Sequence, residues 1–342
     1  MRSGVLTVLA GVTAAFCFAS IFIHFAVGQF LFPLATLPLF FVLFLTPFRE
    51  IWLALAASGA TLGFMGLAGI FGSSTLVGVI LSFTFAAALP AMCTGAFYTT
   101  PLRAKDGTLK HVPPEVPFII LCFLGLVLFY GAVWFAAFAV GKPLYNIFYD
   151  IAYPFTTTTF EQLKSFNPEI NETNFNVADI ATTTTLRMSG VVVFMFVLGH
   201  FANLLIAQWL LYRKALIAMP LPRLGDFYFP SLFVWAVCGL CGLYLFGQNQ
   251  KWPAEDVFLI VPALIALSLP LLLQGVSTMH RVLTKRLVKV GVISVYLGLT
   301  LLIMTMTVQI FIIFTSLGIF NNMHLYFQRK KNAANKRNTD EN

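Results

Sequence analysis

Residues 117–141 read PFIILCFLGLVLFYGAVWFAAFAVG, an unbroken run without one charged side chain. As an α-helix rising about 1.5 Å per residue it would be about 37 Å long, enough to cross a hydrocarbon core of about 30 Å. Working outward, comparable apolar runs lie at 5–27, 30–47, 51–72, 75–98, 188–212, 229–247, 257–278 and 290–320. The second carries Pro33, Pro38 and Pro47, which predicts a kinked span or a re-entrant piece whose backbone must be covered by protein. The last is too long for one upright helix and short for two. The whole chain agrees with these runs: 342 residues are 59% hydrophobic and 10% charged, where a soluble domain carries about 25% charged residues. Mean hydropathy is +0.86. The fold class is an all-α polytopic transmembrane helix bundle of about eight to ten membrane segments.

That reading excludes other classes. The longest polar stretch, Lys142–Arg187, is too short for a separate catalytic or nucleotide-binding domain. A net charge of +8 would suggest nucleic acid in a soluble protein. Here the bases flank apolar runs, where they set topology, and no nucleic-acid partner is expected. The first apolar run follows Arg2 and continues to about Val27 with large side chains, which predicts an uncleaved first helix rather than a secretion signal.

Arg2, Arg49, Arg103, Lys105, Lys110, Arg213, Lys214, Arg223, Arg281, Lys285, Arg286 and Lys289 fall on one side when the runs alternate across the bilayer. This places the N-terminus in the cytoplasm of a bacterial cell and the protein in the inner membrane. The Lys142–Arg187 loop and the Gln248–Asp256 turn lie outside. A single final span would put the basic tail (Arg329, Lys330, Lys331, Lys336, Arg337) outside, against the rule. Either the last run folds back as a hairpin or an earlier segment does not cross, and we favour a cytoplasmic tail. The chain divides into N-terminal transmembrane helices over 1–141, an external loop over 142–187, C-terminal transmembrane helices over 188–320 and a basic polar tail over 321–342.

In the external loop, Leu144, Ile147, Phe148, Ile151 and Ala152 recur at helical spacing with Tyr145, Tyr149 and Tyr153 interleaved. This predicts an amphipathic helix anchored at the interface by tyrosine. The threonine runs Thr156–Thr159 and Thr182–Thr185 bracket a polar middle and read as the β-leaning ends of a partly ordered surface loop. A lid over an external opening is the sharper reading. Asn171-Glu172-Thr173 matches a glycosylation sequon, which carries no weight in a bacterial protein.

All 13 acids lie in loops or at the ends of apolar runs, which disfavours a carrier built on a membrane-embedded carboxylate. Cys238 and Cys241 form a C-x-x-C inside an apolar run without histidines nearby, so they read as packing residues and not as a metal or redox pair. No metal or cofactor is expected. The most polar face within a span is on the sixth run, where His200, Asn203 and Gln208 share one side of a helix with Ala207. Such a face looks into the bundle or a water-filled cavity. It serves either as interhelical hydrogen bonding or as a solute site. Gln274, Ser277, Thr278 and Arg281 form a second such face and supply Gln274 as a partner. Ala10/Ala14 and Ala56/Ala60/Gly63, with Gly59/Gly63, are small-residue pairs that allow close helix approach, within the chain or to a partner.

The C-terminal third carries a resemblance. Pro222-Arg223-Leu224 leads into Phe229-Pro230-Ser231-Leu232; Leu273-Gln274-Gly275-Val276-Ser277 precedes a basic patch; Leu317-Gly318-Ile319-Phe320-Asn321 precedes Phe327-Gln328-Arg329-Lys330. In order and spacing these pieces resemble the YybS-like family of bacterial membrane proteins, over residues 220–330 by motif and elsewhere by hydropathy. The chain departs from that family at Asn321, where an acid is usual, and at Met323, where a tryptophan is usual. The family has no settled activity, but its N-terminal half is similar to the substrate-capture subunits of energy-coupling-factor transporters. Those often dock a transmembrane partner through an Ala-x-x-x-Ala face on the first helix, a role the resemblance offers to Ala10 and Ala14.

These readings converge on a non-enzymatic membrane protein whose leading function is solute handling, with His200, Asn203, Gln208 and Gln274 lining a cavity. Energised uptake would then need a partner subunit beside the lipid bilayer. The alternative is a scaffold or assembly factor that holds other membrane proteins through its small-residue faces.

Overall fold

A computed structural model of the chain describes residues 2–71, 76–99, 102–103, 109–110, 112–166, 176–219, 221–222, 227–286 and 307–340. The Asn171–Thr173 sequon, Lys105, Arg223, Lys289 and the first half of the last apolar run fall outside the described residues. Eight helical stretches among the described residues are long and apolar enough to cross a membrane. The protein is therefore an all-α, multi-pass integral membrane protein. The chain forms two compact units, each discontinuous in sequence: residues 1–125 with 195–222, and residues 126–194 with 223–342.

The first unit opens with α1 (Arg2–Ile23), which ends at His24. The extended backbone of His24 caps α2 (Phe25–Leu31), its Nδ1 accepting from the Val27 amide at 3.5 Å. The chain then breaks where the prolines lie. A short turn, Phe32–Leu34, contains Pro33, and α3 (Leu37–Leu45) has Pro38 in its first turn, where a missing amide costs nothing. So the segment breaks at its prolines, as both the kinked span and the re-entrant piece require. Helix α4 (Ile51–Leu67) packs on α1 because both helices are narrow at the crossing. A side chain at Gly11 would strike the Ala54 carbonyl. Ser58 Oγ reaches the Gly11 and Ala54 carbonyls at 2.8 and 2.9 Å, and Thr7 donates to Glu50 Oε2 at 3.1 Å. Helix α5 (Leu76–Phe83) passes through a π-helical turn, Thr84–Ala88, into α6 (Leu89–Thr99). A two-residue antiparallel ladder, β1 (Leu102–Arg103) on β2 (Leu109–Lys110), precedes α7 (Glu115–Phe135).

Helix α7 runs on into a π turn, Ala136–Val140, and stops at Gly141, whose φ of +70° suits glycine. Helix α8 (Leu144–Phe166) starts after Pro143 and holds the predicted amphipathic segment. Its tyrosines stack in a row, with ring centroids of Tyr145–Tyr149 at 6.1 Å and Tyr149–Tyr153 at 5.7 Å. The threonine runs are not β-leaning loop ends. Thr156–Thr159 continue α8, and Thr182–Thr185 lie inside α9 (Val177–Arg213). Threonine favours strands and caps partly because its hydroxyl competes for backbone groups. Here Thr157, Thr158, Thr159 and Thr185 each donate to the carbonyl four residues back, at 2.9 Å, so the competition is settled within the helix.

The second unit is completed by α10 (Leu232–Asn249), α11 (Ala254–Arg286) and α12 (Thr307–Asp340). Gly247 faces the Trp252 ring at the short turn joining α10 to α11. Phe258 is the aromatic hub: Phe129, Tyr145 and Phe148 all surround it at 5.7 Å. Gly190 takes Val261 and Ile265 from α11, and Tyr130 donates to the Leu259 carbonyl at 2.7 Å. The closest crossing is α11 on α12. A Cβ on Gly275 would meet the Phe314 carbonyl, and one on Gly318 would meet the Leu271 carbonyl. Backbone touches backbone there, a packing mode suited to membranes, where small residues rather than hydrophobic exclusion bring helices together.

Candidate functional site

The polar face predicted on α9 forms, and each of its three side chains ends on a different element of the first unit. His200 sits between two carbonyls: Nδ1 lies 2.6 Å from Phe196 O on its own helix, and Nε2 lies 2.8 Å from Ala86 O in the π turn. Asn203, 3% exposed, donates through Nδ2 to Pro33 O at 2.6 Å and to Thr36 Oγ1 at 2.7 Å. Pro33 lies in the short turn that breaks the α2–α3 span, and Thr36 caps the start of α3. Gln208, fully buried, accepts from the Tyr98 hydroxyl of α6 at 3.1 Å. Each contact lets irregular or polar structure exist where lipid could not satisfy it. Each of the three thus binds a different neighbour to α9.

Gln274 belongs to the second unit and has partners of its own. Its Oε1 accepts from the Phe229 amide at 3.4 Å and from Asn322 Nδ2 at 3.1 Å, while Asn322 Nδ2 also donates to Phe229 O at 2.7 Å. Phe229 precedes Pro230, so its backbone is extended and its polar groups have no helix to join. Gln274 and Asn322 are both completely buried. Their contacts leave Gln274 Nε2 and Asn322 Oδ1 without a partner among the described residues. The same holds for Ser277 Oγ, one turn along α11, and Thr315 Oγ1 on α12, which are 0% and 8% exposed. Asn321 Nδ2 and Arg281 Nε are further unpaired atoms on these helices. A buried polar atom without a partner costs about 1–3 kcal/mol, so each of these calls for a partner such as an ordered water or a ligand.

Sequence reasoning picked out Gln274, Ser277 and Arg281 but passed over Asn322, Thr315 and the backbone of Phe229. The signal was there in part, as an Asn-Asn pair within an apolar run and an X-Pro step just before a span. Their meeting depends on the α11–α12 crossing, which no spacing reveals.

The small-residue candidates separate. Ala14 is completely buried within the chain, and Ala10 is half-buried. Gly59 and Gly63 are different: a Cβ at either would meet nothing within 4 Å, and Ala56 and Ala60 beside them are exposed. Cys238 is exposed and Cys241 half-buried on α10, both as free thiols. Among the described residues no three His, Cys, Asp or Glu side chains are grouped to hold a metal ion.

No protein-family model, no curated protein and no solved structure matches the chain.

Proposed function

We propose that the protein is a solute-handling subunit of a bacterial inner membrane, without catalytic chemistry of its own, and that its solute site is the Gln274–Asn322 node. One observation carries this reading: Gln274 Nε2 and Asn322 Oδ1, on two side chains bonded to each other and completely buried in the second unit, have no partner among the described residues. Gln274 Nε2 offers donors, Asn322 Oδ1 an acceptor, and the Ser277 and Thr315 hydroxyls offer either. The complementary ligand is small and uncharged and carries both kinds of group, as a hydroxylated or amide-bearing solute does. Among the described residues no charged side chain bonds to Gln274 or Asn322. The α9 face supports packing instead, since its polar atoms are engaged with named neighbours. Uphill movement of a solute would be driven by a partner subunit.

Native mass spectrometry of protein purified in mild detergent tests the site. The expected result is a small molecule bound one to one, lost in Gln274→Leu and kept in Gly59→Leu. A ligand-free protein in which Ser277→Ala and Thr315→Val raise thermal stability would overturn it, because dry, unpaired hydroxyls are stabilised by removal.

A second reading, a scaffold for other membrane proteins, is favoured by the open face at Gly59 and Gly63. It predicts that Gly59→Leu with Gly63→Leu strips a co-purifying membrane protein while the monomer stays folded. Retention of every companion by that double variant would exclude the face.

A further inference from the structure

His200 has an arrangement that one proton cannot satisfy. Both ring nitrogens point at backbone carbonyl oxygens, at 2.6 and 2.8 Å, and a carbonyl only accepts. Neutral imidazole has one N–H and one lone pair. Whichever nitrogen lacks the proton then sets its lone pair against an oxygen lone pair at hydrogen-bond distance. The imidazolium ion, with a proton on each nitrogen, fits both carbonyls. The Phe196 ring, with its centroid 4.4 Å from that of His200, adds a π face to a cation there.

The two carbonyls are not equivalent. Pro90 has no amide hydrogen, so Ala86, four residues earlier, lacks its ordinary α-helical donor. The chain answers with the π turn Thr84–Ala88, closed by the Leu89 amide on Thr84 O, and with His200 Nε2 on Ala86 O. Single-turn π insertions are frequent at functional sites. The Phe196 carbonyl lies one turn back on α9 itself. The Nε2 proton is therefore the one kept, and the Nδ1 proton is the one that comes and goes.

We propose that His200 is a proton-binding site whose occupancy controls the contact between α9 and the π turn. Uptake of one proton from water at Nδ1 gives a ring that bridges both carbonyls. Its release leaves a lone pair facing Phe196 O; the ring turns away, and Nε2 lets go of Ala86 O. Among the described residues the half-buried ring has no acidic partner to fix its charge. On α9 the flanking titratable groups are Arg187 and Tyr212, each more than ten residues away along the helix. Helix α6 brings Cys93 and Tyr98, the latter donating to Gln208. Helix α7, packed through Phe118 on Phe201, brings Glu115 and Cys122. Helix α5, the π turn, α2 and α3 bring none, and exposed His24 lies just before α2. Among the described residues no charged side chain is bonded to the ring, and the groups bonded to it are the two carbonyls. This inference concerns the first unit and stands whether or not the Gln274–Asn322 node takes a solute.

The test uses the full chain in phosphatidylcholine–phosphatidylglycerol liposomes with ¹⁵N-histidine, titrated between about pH 5 and about pH 9. His200 is assigned by comparison with His200→Gln. Solid-state NMR should show both nitrogens protonated at the acid end and Nδ1 bare at the alkaline end. Over the same step, hydrogen exchange of residues 84–91, corrected for intrinsic pH dependence, should rise about fivefold as the contact opens. The wild-type titration needs no variant, so a poorly folded His200→Gln would not remove the test. A ring in one protonation state throughout, or a change of state that leaves exchange of the π turn unaltered, overturns the proposal.

Discussion

Replacing Gly318 with alanine puts a methyl group against the Leu271 carbonyl, at the crossing where α12 touches α11. The obstacle is backbone, so no side chain can swing aside. Carbon and carbonyl oxygen rest at about 3.3 Å in helix contacts, so the helices must part by roughly 1.5 Å. Forced expansion of a packed interface costs about 1–3 kcal/mol. The same parting stretches the two bonds from Asn322 Nδ2, to Phe229 O at 2.7 Å and to Gln274 Oε1 at 3.1 Å. At about 0.6 kcal/mol for each interhelical bond in a membrane, the total is about 2–4 kcal/mol. With about 2–4 °C per kcal/mol for a domain of this size, the melting temperature should fall by about 4–16 °C. Gly59→Ala is the matched control, since its methyl meets nothing within 4 Å. Relief of glycine's conformational freedom there is worth about 0.5–1 kcal/mol, so the control should match or slightly exceed the wild type. Intrinsic tryptophan fluorescence during heating in detergent reads both variants. Equal melting temperatures for Gly318→Ala and Gly59→Ala would refute the backbone crossing at Gly275 and Gly318.

Asn203→Leu strands Pro33 O and Thr36 Oγ1 in the bilayer and should cost about 2 kcal/mol, read as the same thermal shift. An unchanged melting temperature would show that Asn203 does not hold the broken span. Ser58→Ala removes a hydroxyl that reaches two carbonyls where α1 meets α4, and should cost about 1 kcal/mol; a gain in stability would contradict that pairing. Replacing Thr157, Thr158 and Thr159 together with alanine should keep or raise helicity by circular dichroism, because their hydroxyls bond back to the preceding turn of α8. A loss of helix there would restore the surface-loop reading of the threonine run.

Some of the site was open to reading from the chain alone. His200, Asn203 and Gln208 stand at helical spacing inside an apolar run, and a polar face at that depth must find partners. The partners themselves were hidden. Pro33 O is available to Asn203 because a proline broke the span, and Ala86 O is available to His200 because Pro90 withholds an amide four residues on. Each is a backbone atom, which has no signature in a residue pattern. The threonine runs were misread for a related reason: threonine's strand preference is a balance that a back-bond to the preceding turn reverses inside a helix.

The sequence by itself determined that this is a multi-pass bundle of apolar helices and which of its apolar runs carry polar or small faces. Hydrophobic runs of bilayer length leave the backbone no alternative, because every amide must be satisfied within its own segment. Tertiary structure alone decided which faces meet. It turned the α9 residues toward three different neighbours, brought Gln274 to Asn322 and Phe229, buried Ala14, and left Gly59 and Gly63 open. Those outcomes rest on a few backbone-to-backbone approaches such as Gly275 on Gly318. In lipid nothing but close fit and hydrogen bonding distinguishes one helix pairing from another.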